Sequence, residues 1–241
     1  MTRIIGLSVA IVALTVWGAT EAHAGGFGFP ENTSKGVGRG GSYMLGATGP
    51  EVIYLNPALL TRLDGFQATL NFNITDLNLS FAREGIDPNT EEPYAEIENE
   101  APMFVAPMLF VSHNFGLDDF GFGLGIYGPS AYGSRRFPTG GPQRYILEKS
   151  ELLEFFPSAA IAYQIGGLRF GATIQAAILM ADLQLVTSAS FADPSQERPD
   201  EDARTRLIDL RDIKPTGILG VAYDFSPAWS VGLSYKLPVT L

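Results

Sequence analysis

The sequence has no cysteine in 241 residues and only two histidines, His23 and His113. The first absence excludes disulfide frameworks, thiol nucleophiles and zinc–thiolate centres. The second leaves nothing from which to build a Ser–His–Asp triad. Basic side chains are also scarce: 16 Lys and Arg stand against 26 Asp and Glu, for a net charge of −10. No cationic stripe exists to neutralise phosphates, which excludes nucleic acid as a partner. Charged residues make up only 17% of the chain and hydrophobic ones 46%. Yet past the N-terminus no run approaches the roughly 18–20 continuous apolar residues of a membrane helix. Apolar content without a helical span leaves a soluble β domain or a membrane β-barrel. Composition alone favours the soluble domain.

The N-terminus carries an address. Arg3 is a positive start, residues 4–19 form an apolar run, and Ala22-His23-Ala24 is a small-x-small cleavage site. This is the pattern of a secretory signal peptide over residues 1–24, cut after Ala24. An uncleaved anchor is the alternative, but the short run and the A-x-A ending fit cleavage. His23 is lost with the peptide, and the mature chain starts at Gly25, outside the cytoplasm. Residues 25–65 are rich in Gly, Asn, Ser and Pro and show no alternation. They read as a compact irregular region with a weak helical signal near residues 50–55.

The pattern changes at Phe66. Phe66, Ala68, Leu70, Phe72 and Ile74 alternate with polar residues, the period of a strand with one apolar face. The phase then flips to Leu77, Leu79 and Phe81, which a bulge near Thr75 and Asp76 would accommodate. One strand over residues 66–81 would be about 50 Å long. Six further strands are predicted at residues 103–115, 120–127, 155–165, 168–186, 217–225 and 229–237. The second is apolar on both faces. The third alternates large apolar residues with Gly121, Gly123 and Gly125. The fifth shifts phase near residues 179–182.

The connections alternate long and short: 83–102, 116–119, 128–154, 166–167, 187–216 and 226–228. Outer-membrane barrels have short periplasmic turns and long outer loops. A soluble sandwich has no reason to segregate loop lengths this way. The fold class expected is therefore all-β, an antiparallel transmembrane barrel, with apolar faces toward lipid. A secreted β-sandwich binding module and a structural or adhesive surface barrel are the rival readings.

No catalytic constellation is present, and no enzyme activity, cofactor or metal is expected. Asp118-Asp119 sits in a short turn. Glu91, Glu92, Glu96, Glu98 and Glu100 have donors suited to calcium, but a loose acidic loop is ordinarily just solvated. The Gly121–Gly125 pattern lacks the strand-to-helix context of a dinucleotide fingerprint.

Two motifs carry a resemblance. The segment Ser34-Lys35-Gly36-Val37-Gly38-Arg39-Gly40-Gly41-Ser42, followed by Leu55-Asn56-Pro57-Ala58, resembles the start of the FadL/TodX family of outer-membrane hydrocarbon transporters. The stretch between the motifs, residues 46–52, departs from the family's Ala-Asp-Asp-Ala-like pattern. The resemblance implies that residues 25–65 form a hatch inside a fourteen-stranded barrel. The seven strands of residues 66–241 would be its first half, from a truncated gene product, a fragment or a split barrel. It implies diffusive uptake of hydrophobic compounds, long-chain fatty acids foremost, with aromatic hydrocarbons as the other substrate class. The partners implied are outer-membrane lipid, lipopolysaccharide and the barrel-assembly machinery.

The resemblance also implies roles for particular residues. Asn56, Pro57 and Ala58 would anchor the hatch, Gly36 and Gly38 would allow its tight path, and Arg39 would offer a cation. In the family a kink in the third strand opens a side passage to the bilayer, and Gly125, Gly128 and Pro129 could make it here, or simply end a strand. For a carboxylate headgroup the candidates are Arg135, Arg136, Arg144 and Lys149 in the second long loop. Binding of lipopolysaccharide phosphate explains those cations equally well.

Overall fold

The computed structural model describes residues 33–87, 90–128, 134–188, 199–226 and 228–239. The signal peptide assigned to residues 1–24 lies outside them, as does Pro129. Two short helices, α1 (Ser34–Gly38) and α2 (Val52–Leu55), and a 3-10 turn at Pro57–Arg62 form an N-terminal plug. The strands are β1 (Gln67–Asp76), β2 (Ser80–Phe81), β3 (Ile97–Glu98), β4 (Met103–His113) and β5 (Phe120–Tyr127). They continue with β6 (Arg135–Arg136), β7 (Lys149–Ile165), β8 (Leu168–Thr187), β9 (Ala203–Ser226) and β10 (Trp229–Lys236). No helix among the described residues is long and apolar enough to cross a membrane.

The main sheet runs β1-β4-β5-β7-β8-β9-β10, with β6 added to β7, and every pairing is antiparallel. It curls into a half-barrel with the plug on its concave side. Leu70, Phe72 and Ile74 of β1, Leu124 of β5, Ile174 of β8 and Leu233 of β10 are all exposed on the convex side. Met108, Phe110, Ala160, Ala162 and Ile218 are buried on the concave side. Apolar side chains turned outward are the signature of a wall solvated by lipid.

Several boundaries differ from the sequence reading, each for a physical reason. The first strand ends at Asp76 rather than running to residue 81. Ser80 and Phe81 instead pair with Ile97 and Glu98 in a separate two-stranded sheet. Asn99 diverts the chain, its amide Nδ2 donating to the Leu77 carbonyl at 3.0 Å and its backbone N–H to the Leu79 carbonyl at 2.8 Å. The fourth predicted strand starts at Lys149, not 155, and the sixth at Ala203, not 217. β9 has 24 residues, about 80 Å at the usual rise. That far exceeds a ~25 Å apolar band. Its first half therefore stands in water on both faces and has no apolar alternation to read.

The phase shift expected within residues 179–182 of β8 is resolved in its neighbour. β7 and β8 pair in one register from Lys149–Gln184 to Ile165–Leu168. The slip falls between β8 and β9, at Ala181/Leu183. There Asp209 adopts a left-handed φ of 55° and its N–H donates to the Asp182 carboxylate at 2.9 Å. The extra residue of this bulge belongs to β9.

Candidate functional site

The plug is held from its own sequence outward. Pro57 restricts the residue before it to extended backbone, and Asn56 has φ −157° and ψ 101°. From there its Oδ1 accepts the Ala58 N–H at 3.1 Å and caps the Pro57–Arg62 turn. Its Nδ2 donates to the carbonyls of Val221 and Leu233, at 3.2 and 3.3 Å, on β9 and β10. Asn56 is fully buried. One side chain thus fastens the motif to two strands of the wall.

The wall is shaped to receive it. A register row of small residues crosses five strands: Gly121, Ala162, Gly171, Gly220 and Ser234. A Cβ added at Gly171 would strike the backbone of Pro57 and Ala58, and one at Gly220 would strike Asn56 Oδ1. At these two positions only glycine admits so close a backbone approach. Thr173 on β8 donates to the Ile53 carbonyl at 2.7 Å. Ser34 at the start of α1 donates to Asn71 Oδ1 on β1 at 2.9 Å. At the short-turn end Arg62 and Arg169 both bind Asp224, the latter at 2.9 Å, and Arg169 also donates to Thr61 at 2.5 Å.

Gly36 is buried in α1, whereas Gly38 and Arg39 are exposed. The Arg39 guanidinium lies over the Tyr43 ring, 5.4 Å from its centroid. Tyr43 is buried and donates to Glu51 at 2.7 Å. Burial first, then the Glu51 carboxylate, hold its phenol above the ordinary 10.0.

An aromatic path leaves the plug along the concave wall. Tyr54 of α2 stacks on Tyr127 at 4.8 Å and on Phe110 at 5.6 Å, and Tyr127 stacks on Phe156 at 5.3 Å. Gly125 stays in the regular ladder, opposite Phe110 and Ser158. Its bare inner face admits the Phe110 ring, whose Cδ1 would lie 2.5 Å from a Cβ there.

β5 ends with Tyr127 opposite Phe156, and β6 pairs Arg135 with Ser150. A cleft of about 460 Å³ lies beside Tyr127 and Gly128. Phe104, Ala106, Tyr127, Leu152 and Glu154 line it from the concave face, and Pro107, Leu109, Ile126, Leu153 and Phe155 from the convex one. The cleft is thus lined by residues of both faces of the wall. Asn99, buried, ties three chain segments together: Nδ2 donates to Leu77 and Ser134 carbonyls, and Oδ1 accepts from Ala101 and Arg136 N–H, all at 2.9–3.2 Å.

The four loop cations are not equivalent. Arg144 is buried and pairs with Asp202 at 3.2 Å, beside Tyr145, which donates to the same carboxylate at 2.9 Å. Burial holds the Tyr145 phenol above its usual value, against the lowering effect of Arg144. Arg136 is paired with Glu151, and Lys149 with Glu151 at 3.0 Å and Asp182 at 3.4 Å. Arg135 is exposed and has no ion pair among the described residues. Among those residues no cluster of three or more His, Asp or Glu is arranged to hold a metal.

Sequence reading missed the glycine seat, the Arg62–Asp224–Arg169 clamp, Asn99 and Glu154. Glycines on the inward parity of β8 and β9 were the available signal for the seat. The clamp joins residues 55 and 162 apart in the chain and leaves no local trace.

An outward-apolar antiparallel wall enclosing an N-terminal plug defines an outer-membrane type of barrel. The family described as outer membrane protein transport protein (OMPP1/FadL/TodX) matches residues 15–241. The chain belongs to that family, whose members move hydrophobic compounds across the outer membrane. The fold is similar to the crystal structure of a Pseudomonas aeruginosa FadL homologue, with TM-score 0.71 and 15% identity. That likeness covers 88% of this chain and 52% of the other, so the chain spans about half the length of this neighbour. No curated protein matches the sequence.

Proposed function

We propose that the protein resides in the outer membrane of a Gram-negative bacterium and lets hydrophobic compounds, long-chain fatty acids foremost, diffuse out of the lumen sideways through its wall. The observation that carries this reading is the apolar cleft beside Tyr127, lined by residues of both faces of the wall, where it meets the aromatic path from the plug. No energy-coupling element is visible, so movement follows the concentration gradient. Gly128 lines the cleft, and Arg135 is the cation best placed to meet a headgroup arriving from outside. Asn56, Pro57 and Ala58 keep the plug seated while substrate passes above it.

The test is uptake of labelled oleate by cells whose own long-chain uptake channel has been deleted. Expression of the protein should restore uptake, and Ile126→Trp, which fills the cleft, should abolish it. Restored uptake that is indifferent to Ile126→Trp would reject the sideways route. No uptake at all would reject transport of this substrate class.

A further inference from the structure

Glu154 is the one acidic side chain among the described residues lining the wall cleft. It lies at an inward position of β7, half-buried, with its neighbours on that strand's inner face being Leu152 and Phe156. No hydrogen bond or ion pair reaches its carboxyl among the described residues. Among the described residues, the elements packed around it bring no cation. β8 places Leu179 opposite it, β5 contributes Tyr127, and β4 contributes Phe104 and Ala106. Lys149, farther along the same strand, and Arg136 on β6 are both held by Glu151.

An unpaired carboxyl in an otherwise apolar passage has an energetic cost, and nothing in the fold requires it. We propose that Glu154 is a headgroup filter: it sets the specificity of the cleft for uncharged amphiphiles and against anions. This rests on the cleft being the exit route. Hydrocarbons and alcohols pass directly. A fatty acid passes as the neutral acid, its carboxylate having taken a proton from luminal water before entering. Two negative charges about 6 Å apart in an effective dielectric of ~20 slow an anion on the order of 100-fold. The filter also keeps anionic lipid headgroups from entering from the bilayer side.

The experiment uses the full-length protein in the outer membrane of cells lacking their own uptake channel, with two probes of equal chain length, labelled oleate and labelled oleyl alcohol. Glu154→Gln preserves shape and removes charge. It should raise the oleate-to-alcohol uptake ratio at least tenfold. Glu154→Thr, which suits a strand, should do the same and covers the case in which the first variant does not fold. Glu154→Asp should keep the wild-type ratio. An unchanged ratio in both neutral variants, or a parallel fall of both probes, overturns the filter while leaving the passage intact. If the wild-type protein moves neither probe, the passage falls and the filter with it.

Discussion

Replacing Asn56 separates two roles that one side chain combines. Alanine removes the cap on Ala58 N–H and both donations to Val221 and Leu233. Loss of a cap costs about 1 kcal/mol, and each of the two donations about 0.5–1.5 kcal/mol. The plug should therefore lose about 2–4 kcal/mol of docking, and its open population should rise some 30-fold to 1,000-fold. Aspartate is the informative comparison. It caps a helical turn as well as asparagine does, but it has no N–H to offer. In a fully buried site it would aim an oxygen at two carbonyl oxygens. If the wall bonds dominate, Asn56→Asp is worse than Asn56→Ala; if the cap dominates, it is nearly silent. Trypsin reports the difference, because the plug carries Lys35 and Arg39 and a protease cuts a folded segment only when it opens locally, so that cleavage follows the open population when reclosing is fast. The expected order of cutting is wild type, then Ala, then Asp. An Asp variant as resistant as wild type would refute the claim that Asn56 fastens the plug through its amide.

Two further outcomes follow from the seat and the plug. Gly171→Val places branched carbon against the Pro57–Ala58 backbone, and overpacking of this kind costs about 1–3 kcal/mol or more; the plug should become protease-sensitive while the barrel keeps its heat-modifiable migration in detergent. Tyr43 binds its proton more tightly in the folded plug than in the unfolded chain, through burial and the bond to Glu51. Its contribution is full below pH 10.0, the unfolded value, and is lost as pH rises through the higher folded value. Alkaline absorbance titrations of the wild type and of Tyr43→Phe should differ by one late phenol, and the plug should loosen as that phenol ionises.

The wall was legible because lipid and lumen impose opposite solvents on alternate residues. Leu219, Tyr223 and Phe225 of β9, and Trp229, Val231, Leu233 and Tyr235 of β10, are exposed on the outer face as their period of two requires. Where both faces meet water the period vanishes. That is why Arg204, Arg206, Arg211 and Lys214 in the ladder with β8 read as loop. The second strand, apolar on both sides, is explained by Met108 and Phe110 packing against the plug while Leu109 faces out. The loop cations were visible as residues but not as partners. Arg144 meets Asp202 across 58 positions of sequence, and nothing near either one foretells it.

The two conceivable exits, past the plug or through the wall, differ in what must move. Undocking the plug would re-expose Val52, Ile53, Leu59 and Leu60, all at 1% exposure or less. At about 1.5–3 kcal/mol for each side chain, that is roughly 6–12 kcal/mol before any polar contact is broken. A tenfold drop in population for each ~1.4 kcal/mol leaves the undocked state at about one molecule in ten thousand, or far fewer. The cleft beside Tyr127 requires no such step. The absence of cysteine makes the distinction testable without background thiols. Ser34 Oγ and Asn71 Oδ1 are 2.9 Å apart, at the junction of α1 and β1. In a Ser34→Cys/Asn71→Cys variant, oxidation should lock that end of the plug to the wall. Oleate uptake should then continue at the reduced variant's rate. Uptake that stops on oxidation and returns with reductant would mean that substrate leaves past a moving plug, and the sideways route would have to be given up.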